Sequence, residues 1–262
     1  MPAHEAIDRF HYGHLAVSAL NMKTAIDTFF DHIARQRGGY IACTCTHGVI
    51  EVKRDPKLRQ IIDDAVLALP DGMPLVWLGY MKGVEVERVT APDFLEQVMR
   101  DPRSRTIRHY FYGATPDAVD RIVRRAKKMV GADAIAGWHC PPFRPAGAKE
   151  DAEVIAQIAA AKPDIIWVGL GLPKQEYWMA NHQAHFPSSL MIGVGAAFDF
   201  FAGTQPRAPV FLQRLGLEWL HRLLKNPIRM WPRYRDVVPK ALSVMFTEIV
   251  ISRRSHRSSS SP

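Results

Sequence analysis

Asp71 stands in the string Leu69-Pro70-Asp71-Gly72-Met73, a turn from which a carboxylate can project at the end of an apolar stretch. Two readings are open. The aspartate caps the turn before a helix, as it does in most Pro-Asp-Gly strings. Or it takes the proton of an attacking hydroxyl, work in which a positioned base is worth about 10²–10⁴-fold in rate. His47, in a neighbouring turn, is an alternative base or a structural residue. Gln175 and Glu176 begin a helix after a Gly169-Leu170-Gly171 turn. An acidic residue favours a first helical turn, and both side chains can also hydrogen-bond a ligand. Asp199, between Phe198 and Phe200, needs a partner when buried, either an internal one such as Arg207 or the diol of a ribose.

Several other chemistries find no support. No Asp-x-Asp string is present to hold a metal against a diphosphate, and no CxxC pair occurs. Cys43-Thr44-Cys45 lacks histidines at ligand spacing, and His182 and His185, three apart on a helix, read as surface residues. No metal and no cofactor is therefore expected. The Gly169-Leu170-Gly171 turn lacks a complete GxGxxG and a Walker lysine, which leaves NAD and ATP poorly supported.

These residues need elements to hold them. Residues 40–46, 106–113, 164–171 and 189–195 read as buried strands, each ending near a turn. Helical patterns cover 92–100, 116–130, 148–161 and 174–185, with Thr115 as an N-cap before Pro116. Strands alternating with crossover helices predict an α/β fold, a Rossmann-like, mainly parallel sheet with helices on both faces. In such sheets ligands sit at the carboxyl ends of the strands. Gly113, Gly169, Gly171 and Gly195 fall at those ends, where they either admit a ligand's phosphates to the backbone or make tight turns.

Composition sets the frame. The chain has 262 residues, 47% hydrophobic and 23% charged, with a formal net charge of +8. That excess of cations suits phosphates, nucleic acid or an anionic membrane surface without choosing among them. Three cysteines make no disulfide framework, and the first thirty residues do not resemble a signal peptide, so a cytoplasmic location is expected. No apolar run approaches the roughly 20 residues of a membrane span, so any membrane contact is expected to be peripheral.

The segment 209–227 reads as one amphipathic helix stopped by Pro227. Phe211, Leu212, Leu215, Trp219, Leu220, Leu223 and Leu224 form an apolar stripe; Arg214, Glu218, Arg222, Lys225 and Arg229 form a mostly basic one beside it. Apolar surface beside guanidinium groups fits a lipid interface with anionic head groups or diphosphates, or a core helix with a solvated face. Residues 241–251 are apolar enough to lie on a membrane or to fold back on the body. The last residues, 252–262, are low in complexity and expected to be disordered. The expected division is a catalytic domain over 1–202, a basic appendage over 203–251 and the tail.

Gly195 to Gly203 (GAAFDFFAG), Arg207-Ala208-Pro209, Gly216 to Pro227 (GLEWLHRLLKNP) and Arg229 to Tyr234 (RMWPRY) resemble the WecG/TagA/CpsF glycosyltransferase family. The resemblance extends in order through Val168 to Ala180, Leu69 to Trp77 and Arg88 to Phe94, covering roughly residues 40–234. It implies inverting transfer of a sugar from a UDP-sugar to a polyprenyl-diphosphate-linked sugar, at the inner face of the bacterial cytoplasmic membrane, in surface polysaccharide biosynthesis. It implies Asp71 as catalytic base. UDP is expected along Gly113, Gly169, Gly171, Gln175, Glu176, Gly195 and Asp199. Thr44 and Thr46 sit where the family usually has Thr-x-Asn beside a sugar, so Thr46 departs from the pattern and has lost an amide donor. Arg88 and Thr90 are expected to face the sugar. Arg207, Arg222, Arg229 and Arg233 are expected to grip the lipid diphosphate, although Pro232 stands where relatives often carry a further arginine. Transfer is expected to be metal-independent, and apolar surface under a mobile appendage would favour a homo-oligomer. The rival reading is a non-catalytic basic module for nucleotides or nucleic acid. Against it, the cations lie beside an apolar stripe rather than among exposed aromatics, so no nucleic-acid partner is expected.

Overall fold

The computed structural model describes residues 7–142, 148–225, 227–228, 231, 235–240 and 243–248; the side chains of 148–150, 214 and 222 lie outside that description. The chain opens with an antiparallel hairpin, β1 (Arg9–Tyr12) and β2 (Leu15–Ser18). There follow α1 (Met22–Ala34), β3 (Gly39–Thr44), α2 (Thr46–Arg54), α3 (Pro56–Asp63), β4 (Leu67–Pro70), α4 (Met73–Met81) and α5 (Ala91–Arg100). Then come β5 (His109–Gly113), α6 (Pro116–Val130), β6 (Ile135–His139), α7 (Ala148–Ala161), β7 (Ile165–Gly169) and α8 (Lys174–His182). The described elements end with β8 (Leu190–Gly193), α9 (Ala197–Ala202), α10 (Val210–Arg214) and α11 (Glu218–Lys225).

Six strands form one parallel sheet in the order β4-β3-β8-β7-β5-β6. This is the expected Rossmann-like α/β arrangement. The inner strands are apolar because both faces are covered, and the two-residue period sorts their side chains. Phe111, Trp167 and Ile192 pack with Phe29, Phe94 and Phe198 on one face. Tyr110, Tyr112, Ile166 and Met191 pack with Tyr40 and Trp178 on the other. Thr115 caps α6 as expected, its hydroxyl accepting the Ala118 N–H at 3.3 Å.

The expected single helix over 209–227 is instead two. Gly216, at φ +70°, ends α10. Its N–H donates to the Gln213 carbonyl at 3.1 Å and the Leu217 N–H to the Leu212 carbonyl at 2.8 Å. That is the paired closure of a helix ending in a left-handed glycine. The turn lies against α4: a Cβ added at Gly216 would stand 2.8 Å from Met73 Cβ. The apolar stripe is therefore divided, and Leu215 to Trp219 form a turn beside α4. Tail residues 252–262 fall outside the described residues, as do 241–242 and 249–251.

Candidate active site

A cavity of about 450 Å³ lies beyond the carboxyl ends of β3, β4 and β8. The sheet side supplies Thr46, His47, Asp71, Gly72 and Ala196; α4 supplies Met73 and Trp77. Its roof is the break between α10 and α11, Leu215 to Trp219, with Val237, Val238 and Met245 from the helical stretches beyond.

Asp71 follows directly on β4. Its N–H donates to the Thr44 carbonyl at 2.8 Å, extending the pairing of β4 with β3 by one residue. The side chain points to α5, where Oδ2 accepts the Ala91 N–H at 3.2 Å. Asp71 thus lies at the cavity wall with its carboxylate oriented by a helix start. Thr46 stands opposite, its Oγ1 3.3 Å from where a Cβ on Gly72 would be. His47 Nε2 lies 3.4 Å from Glu51 Oε1 on the same helix. Thr44 goes elsewhere: its buried hydroxyl donates to the Leu69 carbonyl at 2.8 Å, inside the sheet and off the cavity wall.

Three further expected residues meet at the rim. Thr90 is the N-cap of α5, accepting the Asp93 N–H and donating to Asp93 Oδ2 at 2.7 Å. Arg207 grips Asp93 through both terminal nitrogens, Nη2 to Oδ2 at 2.8 Å, and also donates to Thr90 Oγ1 at 3.2 Å. Burial raises the Asp93 carboxyl, but the bonds from Arg207 and Thr90 outweigh it and leave the group below its ordinary range. Arg88 faces the roof, donating to the Gln213 carbonyl and to Glu218. The internal partner suggested for Asp199 is thus already held by Asp93, while Asp199 Oδ2 accepts from Gln205 Nε2 at 3.2 Å.

The glycine-bearing edge beside the cavity is packed more tightly than a phosphate cradle. A Cβ on Gly113 would stand 2.6 Å from the Gly169 carbonyl oxygen, and one on Gly169 would stand 2.2 Å from the Phe198 ring. Both glycines make room for protein. Gln175 is buried, its Oε1 accepting the Gly171 N–H at 3.1 Å and its Nε2 donating to Glu176 Oε1 at 2.9 Å. Glu176 is only 1% exposed, and its Oε2 has no hydrogen-bond partner among the described residues. Burial lifts its carboxyl to about 7. Gly171, at φ +78°, keeps open backbone near the cavity, whereas Gly195, at φ +48°, lies against Gln175 and Gly171, and Asp199 is half-buried beyond them. Burial raises the Cys43 thiol, and the charges of Asp71 and Glu176 raise it further.

Arg229 and Arg233 lie outside the described residues, as does the side chain of Arg222. Asp93, Glu218, Met73, Trp77 and Tyr12 also lie on or beside the cavity, although, Glu218 apart, their residue types and spacing do not mark them as site residues. One signal for Glu218 was available: it is the lone acid in a stripe of cations.

Comparison with known proteins bears on this geometry. A profile of the glycosyl transferase WecG/TagA/CpsF family matches residues 10–256. The chain is 29% identical over 226 residues to an N-acetylglucosaminyldiphosphoundecaprenol N-acetyl-beta-D-mannosaminyltransferase of Bacillus spizizenii strain W23, covering 86% of this chain and 85% of the relative. It is also 29% identical over 231 residues to the enzyme of the same name in Bacillus subtilis strain 168, covering 87% and 88%. With a profile spanning nearly all of a parallel α/β domain and its roofed cavity, the chain belongs to the WecG/TagA/CpsF family and is a glycosyltransferase.

Proposed function

We propose that the protein moves a sugar, with inversion, from a UDP-sugar to a polyprenyl-diphosphate-linked sugar in bacterial surface polysaccharide assembly. The observation that carries the reading is Asp71 at the wall of a roofed cavity that Arg88 also lines, near enough to Arg207 to act on its charge. Asp71 takes the acceptor hydroxyl's proton as that oxygen attacks the anomeric carbon; the bond to UDP breaks and UDP leaves with its electron pair. UDP lies along the open backbone of Gly171, with Gly195 and Asp199 beside it. Metal-free transfer is supported by the lack of an Asp-x-Asp string, with arginines countering the leaving charge.

The relatives' name supplies the substrates to test first: N-acetylmannosamine as the sugar moved and N-acetylglucosaminyl-diphosphoundecaprenol as acceptor. Arg222, Arg229 and Arg233 are the proposed grip on the diphosphate. Residues 1–202 form the catalytic unit and 203–251 an appendage resting on the inner membrane face. Supporting that contact, Leu224 is 74% exposed and Ile228 92%, while α4 presents Trp77 and Tyr80. Among the described residues no helix is long and apolar enough to cross a membrane.

The test is a donor screen, UDP-N-acetylmannosamine against UDP-glucose, with a short-chain acceptor and with or without chelator. Product with a β-linkage that forms equally in chelator supports the reading. Absence of transfer from every UDP-sugar refutes it.

A further inference from the structure

Two arginine–carboxylate pairs join the α10–α11 part of the roof to the body, and they run in opposite directions. Arg88 projects from the body, between α4 and α5. Its Nη1 donates to the Gln213 carbonyl at 2.9 Å near the end of α10, and its Nη2 to Glu218 Oε2 at 2.9 Å at the start of α11. Arg207 belongs to the segment leading into the roof and grips Asp93 of the body. Reciprocal polarity defines register, because a shift of the roof would bring like charges together. The pairs are neighbours: Glu218 and Asp71 both act on the Arg207 charge.

Arg88 therefore holds both sides of the helix break. The Gln213 carbonyl, which already closes the helix by accepting the Gly216 N–H, takes Arg88 on its second lone pair at the negative end of α10, and Glu218 completes the clamp from the other side. The two side chains are only 18% and 16% exposed, so water screens them less than a surface pair. This explains the odd acid in the stripe. A stripe built solely to bind diphosphate gains nothing from a carboxylate, which would repel the ligand. One paired inward with Arg88 costs the ligand little and fixes the roof.

We infer that Glu218 is a positioning residue for transfer: through Arg88 it sets the α10–α11 break over Asp71, and the acceptor is held only while that clamp is made. The inference rests on the glycosyl-transfer reading above. Its test uses the full chain with Glu218→Gln and Glu218→Asp. Hydrogen exchange over residues 205–225 reports the roof, UDP titration the donor site, and steady-state kinetics the acceptor. Glu218→Gln is expected to speed exchange and to raise the acceptor KM about tenfold or more, with UDP affinity held within about twofold. Glu218→Asp, which keeps the charge, recovers most of both. Wild-type exchange in Glu218→Gln, or a fall in kcat with acceptor KM unchanged, overturns the inference. If the wild-type protein transfers no sugar at all, the function falls, while the exchange arm still decides whether the clamp exists.

Discussion

Asp71 and Ala91, 20 residues apart in the chain, meet where Asp71 Oδ2 accepts the Ala91 N–H at 3.2 Å. That N–H is one of the few a helix start leaves without a partner of its own. One contact thus closes the first turn of α5 and aims the carboxylate at the cavity. The same first turn is built by Thr90 and Asp93, and Asp93 is where Arg207 docks. Asp71, the α5 cap and the roof's anchor form one connected structure.

The two threonines of β3 and α2 separate into different roles. Thr44→Val removes a buried hydroxyl bonded to the Leu69 carbonyl and is expected to lower stability by about 1 kcal/mol, with substrate KM unchanged. Thr46→Val alters a cavity-wall hydroxyl and is expected to stay within roughly 0.5 kcal/mol of wild type while raising a sugar substrate's KM. Urea unfolding beside steady-state kinetics checks both.

Glu176 links stability to pH. Its carboxyl is lifted from 4.5 to about 7 by burial, so the folded protein holds a proton there that the unfolded chain has released. Stability from this group is complete below about pH 4.5 and drains away as pH rises through 7, by roughly 3 kcal/mol in all. Glu176→Gln keeps the bond-forming shape without the ionisation. Relative to wild type, the variant is expected to gain stability as pH rises from 5 to 8, read as a diverging pair of unfolding midpoints. A constant difference across that range would refute the buried-acid reading.

Gly169 faces the Phe198 ring, where an added methyl would stand 2.2 Å away. Gly169→Ala is expected to cost roughly 1–3 kcal/mol through displacement of that ring, with UDP affinity reduced only as far as α9 moves. Thermal unfolding and UDP titration separate the two effects.

The parallel sheet was legible because its inner strands are continuous apolar runs, such as Ile165 to Val168, each followed by a capped or glycine-led helix start. The missed strands escaped for reasons of their own. Leu67–Pro70 has four residues and runs into the Pro-Asp-Gly turn, Ile135–His139 is a half-exposed edge strand, and the Arg9–Ser18 hairpin needs its partner strand to be seen. Asp71, Thr46, Arg88, Thr90 and Arg207 were found by residue type and by resemblance, and they do converge. The glycines have a second reason to be glycine. In one dimension Gly169 and Gly113 look like ligand contacts, whereas the crowding that requires them comes from Phe198 and from each other. The helix break was legible in principle, since a glycine flanked by leucines is the mark of a left-handed helix end. The 3.6-residue stripe simply ran through it.

The most direct test of the account is the turnover of Asp71→Asn with UDP-sugar and a polyprenyl-diphosphate-sugar acceptor, alongside UDP titration of the same sample. The amide keeps an oxygen for the Ala91 N–H, so the fold and the UDP affinity should stay near wild type. Turnover should fall at least about a hundredfold, the range expected for a lost general base. Turnover near the wild-type rate in a folded, UDP-binding variant would contradict the assignment of Asp71.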